Sequence, residues 1–151
     1  MKGEKTYEKS GFRINYPKKW KTKDVGAGYT AQFFTKRGMF ESNLTVVLQD
    51  LSEEPSIPTL DKFAEDSVTS IKQFEEDAVD IQVNDRKILN VEGKEIIYAG
   101  TSFTSDMYLK HLIVLTLIKK RSIILNFSVE PEYFDDDVKI ANEMIDSFEL
   151  V

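Results

Sequence analysis

One histidine limits the proton-transfer chemistry available to this chain. His111 is the only histidine in the 151-residue sequence, which has no cysteine. A hydrolase with a histidine general base must therefore use His111, and thiolate nucleophiles, disulfides and cysteine-ligated zinc are excluded. His111 falls in a predicted strand, on the same face as Leu109 and Ile113, and no Gly-x-Ser-x-Gly segment supplies a nucleophile. We predict a structural or surface histidine, and no enzymatic activity.

Two acidic runs are the candidates for oxygen-ligated cations. Asp135, Asp136 and Asp137 carry the carboxylates that calcium and manganese prefer. They begin a predicted helix, where carboxylates stabilise the positive end of the helix dipole. Successive helical residues point about 100° apart, so three in a row do not converge on one ion. The run at residues 75–77 follows a predicted helix and is interpreted as a solvated loop, so the sequence predicts no metal, cofactor or catalytic residue.

The charge of the chain is unevenly distributed. The first 40 residues carry ten Lys/Arg against three Asp/Glu, and the next 40 carry two against eleven. The net charge of −6 disfavours nucleic-acid binding by long-range attraction. The basic stretch is interpreted as a solvated surface; it becomes a candidate partner-binding patch if Trp20 and Tyr29 are exposed beside its lysines. Its lysines are Lys18, Lys19, Lys21 and Lys23.

Alternating apolar residues separated by short turns predict an antiparallel sheet. Phe12, Ile14 and Tyr16 share one face of a strand that Pro17 ends. Residues 113–118 are apolar on both faces, which predicts a central strand covered from both sides. Gly26-Ala27-Gly28 marks a short connection. The predicted strands span residues 12–16, 29–34, 43–48, 81–89, 94–101, 107–119 and 121–130.

Two helices complete the predicted architecture. The spacing of apolar residues predicts a helix over residues 60–74, capped by Thr59, and a closing helix that starts near Pro131. With a central antiparallel sheet of six to seven strands, the class is α+β, an α/β/α sandwich in one domain over residues 1–151. The predicted buried stripes are Leu60, Phe63, Ala64, Ser67, Val68, Ile71 and Phe74, then Phe134, Val138, Ala141, Ile145 and Phe148.

Some short motifs are discounted. Asn43-Leu44-Thr45 and Asn126-Phe127-Ser128 match the glycosylation acceptor rule. Both lie inside predicted strands, and the rule is often met by chance. The phosphate-binding glycine patterns are missing from the sequence.

Five features together resemble the PsbP-like domains, the superfamily of the photosystem II subunit PsbP and the Ran-binding protein Mog. The first is Phe-x-Ile-x-Tyr-Pro-x-x-Trp, which starts at Phe12. The resemblance implies the same sandwich fold, closest to uncharacterised prokaryotic members. The other features are the strand at Asn43-Leu44-Thr45-Val46-Val47, the helix at residues 60–74, the Gly93-Lys94 turn before Gly100-Thr101, and the ending Asp146-Ser147-Phe148.

The expected function is a non-enzymatic module that binds a protein partner or assists an assembly. The alternative is a small-molecule or divalent-cation-binding domain with a pocket between sheet and helix. No apolar run approaches the ~20 residues of a membrane span, and Met1 to Lys5 do not lead into a signal-peptide core. If Met1 is not the natural start, a secreted or lipid-anchored protein is favoured; otherwise a cytoplasmic one is.

Overall fold

A computed structural model describes residues 3–24, 29–102 and 105–151. The predicted strands and helices occur in the predicted order, together with three strands that the sequence did not predict, Glu4–Lys9, Lys21–Lys23 and Glu149–Leu150. The predicted connection at Gly26-Ala27-Gly28 lies outside the described residues. A single 3-10 turn, Pro131–Tyr133, precedes the second helix. The elements are β1 Glu4–Lys9, β2 Phe12–Pro17, β3 Lys21–Lys23, β4 Ala31–Arg37, β5 Phe40–Asp50, α1 Leu60–Phe74, β6 Val79–Asp85, β7 Gly93–Thr101, β8 Tyr108–Ile118, β9 Arg121–Val129, α2 Phe134–Ser147 and β10 Glu149–Leu150.

The strands form two antiparallel sheets. The main sheet has seven strands in the order β3-β4-β5-β9-β8-β7-β6, and a smaller sheet has the order β1-β2-β10. Helix α1 packs on one face of the main sheet, while α2 and the smaller sheet cover the other. The predicted α+β sandwich is confirmed. The strand that starts at Phe12 lies in the smaller sheet and is not part of the main one.

The larger core lies between the main sheet, α2 and the smaller sheet. Phe12 is fully buried there, and its ring centroid lies 5.3 Å from that of Tyr7 and 5.4 Å from that of Phe148. Trp20 is 8% exposed and joins the same core. Burial of this ring rules out the patch in which Trp20 is exposed among the lysines, because the indole faces inward while Lys19 and Lys21 face solvent.

Helix α1 forms the smaller core on the opposite face. The Thr59 hydroxyl caps it by accepting the Lys62 N–H at 3.1 Å. Ala64 and Ile71 are buried against β7 and β8, as predicted. Phe74 is 57% exposed, so its place in the predicted stripe is wrong; the next residue, Glu75, turns its side chain toward the sheet instead.

The three aspartates lie in the first turn of helix α2, as predicted. Asp137 Oδ2 accepts from Arg37 Nε at 3.1 Å, which ties the helix to β4. In the described ranges, no group of three or more histidine or acidic side chains is arranged to hold a metal ion. Neither helix described here is long and apolar enough to cross a membrane.

Strand β6 differs from the predicted strand at residues 81–89. The strand ends at Asp85, and Leu89 and Asn90, with positive φ values of 57° and 62°, turn the chain between Ile88 and Val91, which form an isolated bridge. A register shift between Val79 and Gln82 also interrupts the pairing of β6 with β7, and Asp80 there has φ of 55°. Periodicity alone does not reveal such local backbone reversals.

We expect Phe12→Ala to lower the free energy of unfolding by about 3–5 kcal/mol, because truncation leaves a cavity between the two sheets. Urea unfolding followed by fluorescence of Trp20, the only tryptophan, measures the loss. The matched control is Met39→Ala, since Met39 is 92% exposed; a change within about 0.5 kcal/mol is expected. Equal losses in the two variants would contradict the described core.

Candidate functional site

The α1 face of the main sheet is only partly covered by its helix. α1 contacts β7 and β8, whereas on β4, β5 and β9 the same face carries mostly polar side chains. Antiparallel pairing aligns Gln32 with Thr45, Thr45 with Asn126, and Asn43 with Ser128, and paired residues share a face. The resulting surface is called the open face and consists of Gln32, Phe34, Asn43, Thr45 and Asn126.

Hydrogen bonds fix the side chains of the open face. Gln32 Nε2 donates to Thr45 Oγ1 at 3.1 Å, and the Thr45 hydroxyl donates to Asn43 Oδ1 at 3.1 Å. Asn43 and Thr45 belong to one of the two Asn-x-Ser/Thr triplets discounted from the sequence, and Asn126 belongs to the other. Each triplet places both polar residues on one face of a strand, which is the sequence signal that would have found this surface.

A buried polar cluster lies where the open face meets the end of α1. It consists of Glu75, Tyr98, His111 and Ser128. The Tyr98 ring stacks on His111 with centroids 4.7 Å apart, and its hydroxyl donates to Glu75 Oε2 at 2.6 Å. His111 Nδ1 and Ser128 Oγ are hydrogen-bonded at 2.7 Å. His111 is 5% exposed, so it is the structural histidine of the two predicted possibilities.

Glu75 corrects the interpretation of residues 75–77 as a solvated loop. Its side chain is 11% exposed and faces the cluster. Asp77 is also engaged, because Oδ1 accepts the Thr101 N–H at 2.8 Å. The sequence offered no signal for this inward turn, since it depends on how the chain leaves α1 relative to the sheet.

Burial dominates the ionisation of the cluster. It lowers the pKa of His111 to about 4. Burial also raises the pKa of the Glu75 carboxyl, which the hydrogen bond from Tyr98 partly opposes. Burial and the neighbouring Glu75 raise the pKa of the Tyr98 phenol. The imidazole is therefore neutral at pH 7.

Two atoms of the cluster have no hydrogen-bond partner among the residues that the structure describes. His111 Nε2 and Glu75 Oε1 are both buried and lie 3.8 Å apart, too far for a hydrogen bond to each other. Leaving such groups unsatisfied costs about 1–3 kcal/mol each. The side chains of His111 and Glu75 line a cavity of about 420 Å³, called the pocket, between the sheet and the end of α1. Its lining residues are Gln32, Phe40, Asn43, Thr45, Glu75, Tyr98, Ser102, Leu109, His111, Asn126 and Ser128.

The cluster contains a serine, a histidine and a carboxylate but lacks the geometry of a hydrolytic triad. In a triad the carboxylate hydrogen-bonds to the imidazole and stabilises its protonated form. Here Glu75 is 3.8 Å from His111, and the pKa of His111 falls to about 4, far from that of a base suited to neutral pH. Ser128 is itself buried. The geometry suits hydrogen bonding to a ligand better than proton abstraction.

Lysines border the open face on the side away from α1. Lys21 pairs with Phe34 and Lys23 with Gln32, so both point to this face. Lys23 Nζ lies 5.5 Å from the centroid of the Phe34 ring. Lys36 follows Phe34 by two residues on β4 and shares its face. We call Lys21, Lys23 and Lys36 the lysine border; Trp20 contributes nothing to it.

Comparison with known proteins identifies relatives of the chain. A model of the PsbP family matches residues 2–150. No curated protein sequence matches. The solution structure of cyanobacterial PsbP, CyanoP, from Synechocystis sp. PCC 6803 is similar, with a TM-score of 0.70, 16% identity, and coverage of 100% of this chain and 94% of that one.

Two further structures share the fold at low identity. A Bacteroides thetaiotaomicron protein has a TM-score of 0.66 at 15% identity; the alignment covers 100% of this chain and 49% of that one. A Pseudomonas aeruginosa protein of unknown function has a TM-score of 0.64 at 9% identity, with 95% and 94% coverage. Likeness at this identity speaks for the fold alone.

Acidification should destabilise the protein through His111. Its pKa of about 4 lies below the ordinary value of 6.5, so between those values the unfolded chain binds the proton and the folded chain does not. Stability is full above pH 6.5 and falls as pH drops toward 4, by up to about 3 kcal/mol. Unfolding of the wild type and His111→Gln at each pH isolates this component, because Glu75 titrates in both proteins. If the free energy of unfolding had the same pH dependence in both proteins, the contribution assigned to His111 would be contradicted.

Proposed function

The chain belongs to the PsbP family, and on that premise we propose that it is a non-enzymatic module that binds a protein partner through the open face. One observation carries the proposal: α1 leaves part of a sheet face uncovered, and that part presents hydrogen-bonding side chains in fixed positions. Rigid, partly exposed polar groups around the Phe34 ring suit a docking surface.

The charge of the surface defines the partner. Lys21, Lys23 and Lys36 are exposed at the border of the open face, while the whole chain carries a net charge of −6. A local basic border on an acidic protein favours a partner with an acidic segment and orients it on the surface. The amides of Gln32 and Asn43 lie inside that border, where they would hydrogen-bond the partner's backbone or polar side chains.

A second candidate function is small-molecule binding in the pocket. The pocket lies between sheet and helix, and the unpartnered His111 Nε2 and Glu75 Oε1 favour this function. The cation form of this alternative has less support, because among the described residues no three ligating side chains converge.

We expect no hydrolytic turnover that depends on the cluster. Because His111 is a weak base without a hydrogen-bonded carboxylate, hydrolysis of 4-nitrophenyl acetate should proceed at the same rate with wild type, His111→Gln and Ser128→Ala. Multiple turnovers by the wild type that disappear in either variant would overturn the non-enzymatic proposal.

We expect charge reversal at the lysine border to weaken partner binding. Tagged Lys21→Glu/Lys36→Glu protein, expressed in its native host and chemically crosslinked, should lose a partner that the wild type retains. The matched control is Lys87→Glu/Lys139→Glu, which changes the net charge equally at exposed sites outside the border. Retention by the wild type should fall with added salt.

Equal loss in both double variants would indicate a general charge effect and contradict docking at the lysine border. Retention of every partner by the border variant would contradict it as well. Free energies of unfolding within about 0.5 kcal/mol of the wild-type value in both double variants would show that the substitutions changed the surface and not the fold.

A further inference from the structure

We propose that the pocket binds a neutral polyhydroxylated ligand, a sugar or polyol, one of whose hydroxyls joins His111 Nε2 to Glu75 Oε1. The inference rests on the second candidate function; the pocket shares Gln32, Asn43, Thr45 and Asn126 with the open face, but its lining does not include the lysine border. It starts from two buried atoms without partners among the described residues, 3.8 Å apart, on side chains that line a cavity of about 420 Å³. That volume falls within the range of about 300–1,000 Å³ found for ligand sites.

The hydrogen bonds around His111 define which group fits between the two atoms. Ser128 Oγ is 2.7 Å from His111 Nδ1 and 3.5 Å from Asn126 Oδ1, so we assign its proton to the shorter contact. Nδ1 then accepts, and the neutral imidazole carries its proton on Nε2. The Tyr98 ring, stacked on the imidazole, holds it in this orientation.

One hydroxyl group satisfies both atoms at once. Nε2–H is a donor and Glu75 Oε1 is an acceptor, and a hydroxyl accepts from the first while it donates to the second. A carboxylate or phosphate only accepts, and would lie against Glu75. An ammonium group only donates, which leaves no acceptor for Nε2–H.

The rest of the pocket lining matches a ligand with several hydroxyls. It supplies the amides of Gln32, Asn43 and Asn126 and the hydroxyl of Thr45, each of which can donate and accept. No lysine or arginine is among the described residues that line it, and Glu75 is its one carboxylate. Phe40 adds an apolar wall for the C–H surface of a sugar ring.

A ligand titration followed at the only histidine tests the proposal. The His111 imidazole resonance is recorded while glucose, galactose, N-acetylglucosamine, trehalose and mannitol are added separately. Glucuronate and glucosamine serve as charged counterparts of the same size. We expect a saturable shift with at least one neutral compound at millimolar concentration, on the order of 1 mM, and none with the charged ones.

Two variants locate the binding. Asn126→Ala should weaken binding about fivefold, the effect of one lost hydrogen bond, and Thr45→Val provides a second pocket variant of similar shape should the first fail to fold. Gln82→Ala removes an exposed amide from β6, outside the pocket lining, and should leave binding unchanged.

The results separate this proposal from the functions on which it builds. If only the charged compounds bind, the proposal of a neutral ligand is wrong, while the second candidate function, small-molecule binding in the pocket, is retained. Absence of any saturable shift overturns the small-molecule site too, with ordered water satisfying the two atoms, and leaves protein docking at the lysine border unaffected. Binding that Gln82→Ala weakens as much as Asn126→Ala overturns the assignment to the pocket.

Discussion

The register between β5, β9 and β8 is the constraint on which both faces of the protein depend. On β9, Leu125 and Phe127 point into the larger core while Asn126 and Ser128 point to the opposite face. Side chains alternate with a period of two, so a slip of one residue would bury the polar pair and expose the apolar pair. The same hydrogen-bonded ladder thus maintains the core and aligns the polar side chains of the candidate site.

The unequal cover of the main sheet follows from the composition of its strands. Where β7 and β8 present Ile96, Ile113 and Leu115, helix α1 packs and removes apolar surface from water. Where β5 and β9 present amides and hydroxyls on that face, burial under a helix would remove them from water without apolar gain. The end of α1 therefore marks the boundary between the smaller hydrophobic core and the polar open face, and His111 lies at that boundary.

Local features explain why the fold was predictable and the site was not. Thr59 as a helix cap, Pro131 before the last helix and the alternation in residues 12–16 act within a few residues of one another. In contrast, Asn43 meets Ser128 only through the pairing of strands distant in sequence, and Glu75 reaches His111 only because α1 ends over β7 and β8. Trp20 illustrates the same limit, since sequence alone left both orientations of its ring open.

The two ends of the main sheet have a consequence for self-association. At one end β3 is only three residues long and rich in lysine; at the other, β6 is broken by the irregularity at Asp80. Short, charged or bulged edge strands give a second chain no straight row of backbone groups to pair with. The two edges of the main sheet are therefore poor templates for the β-aggregation that long flat edges invite.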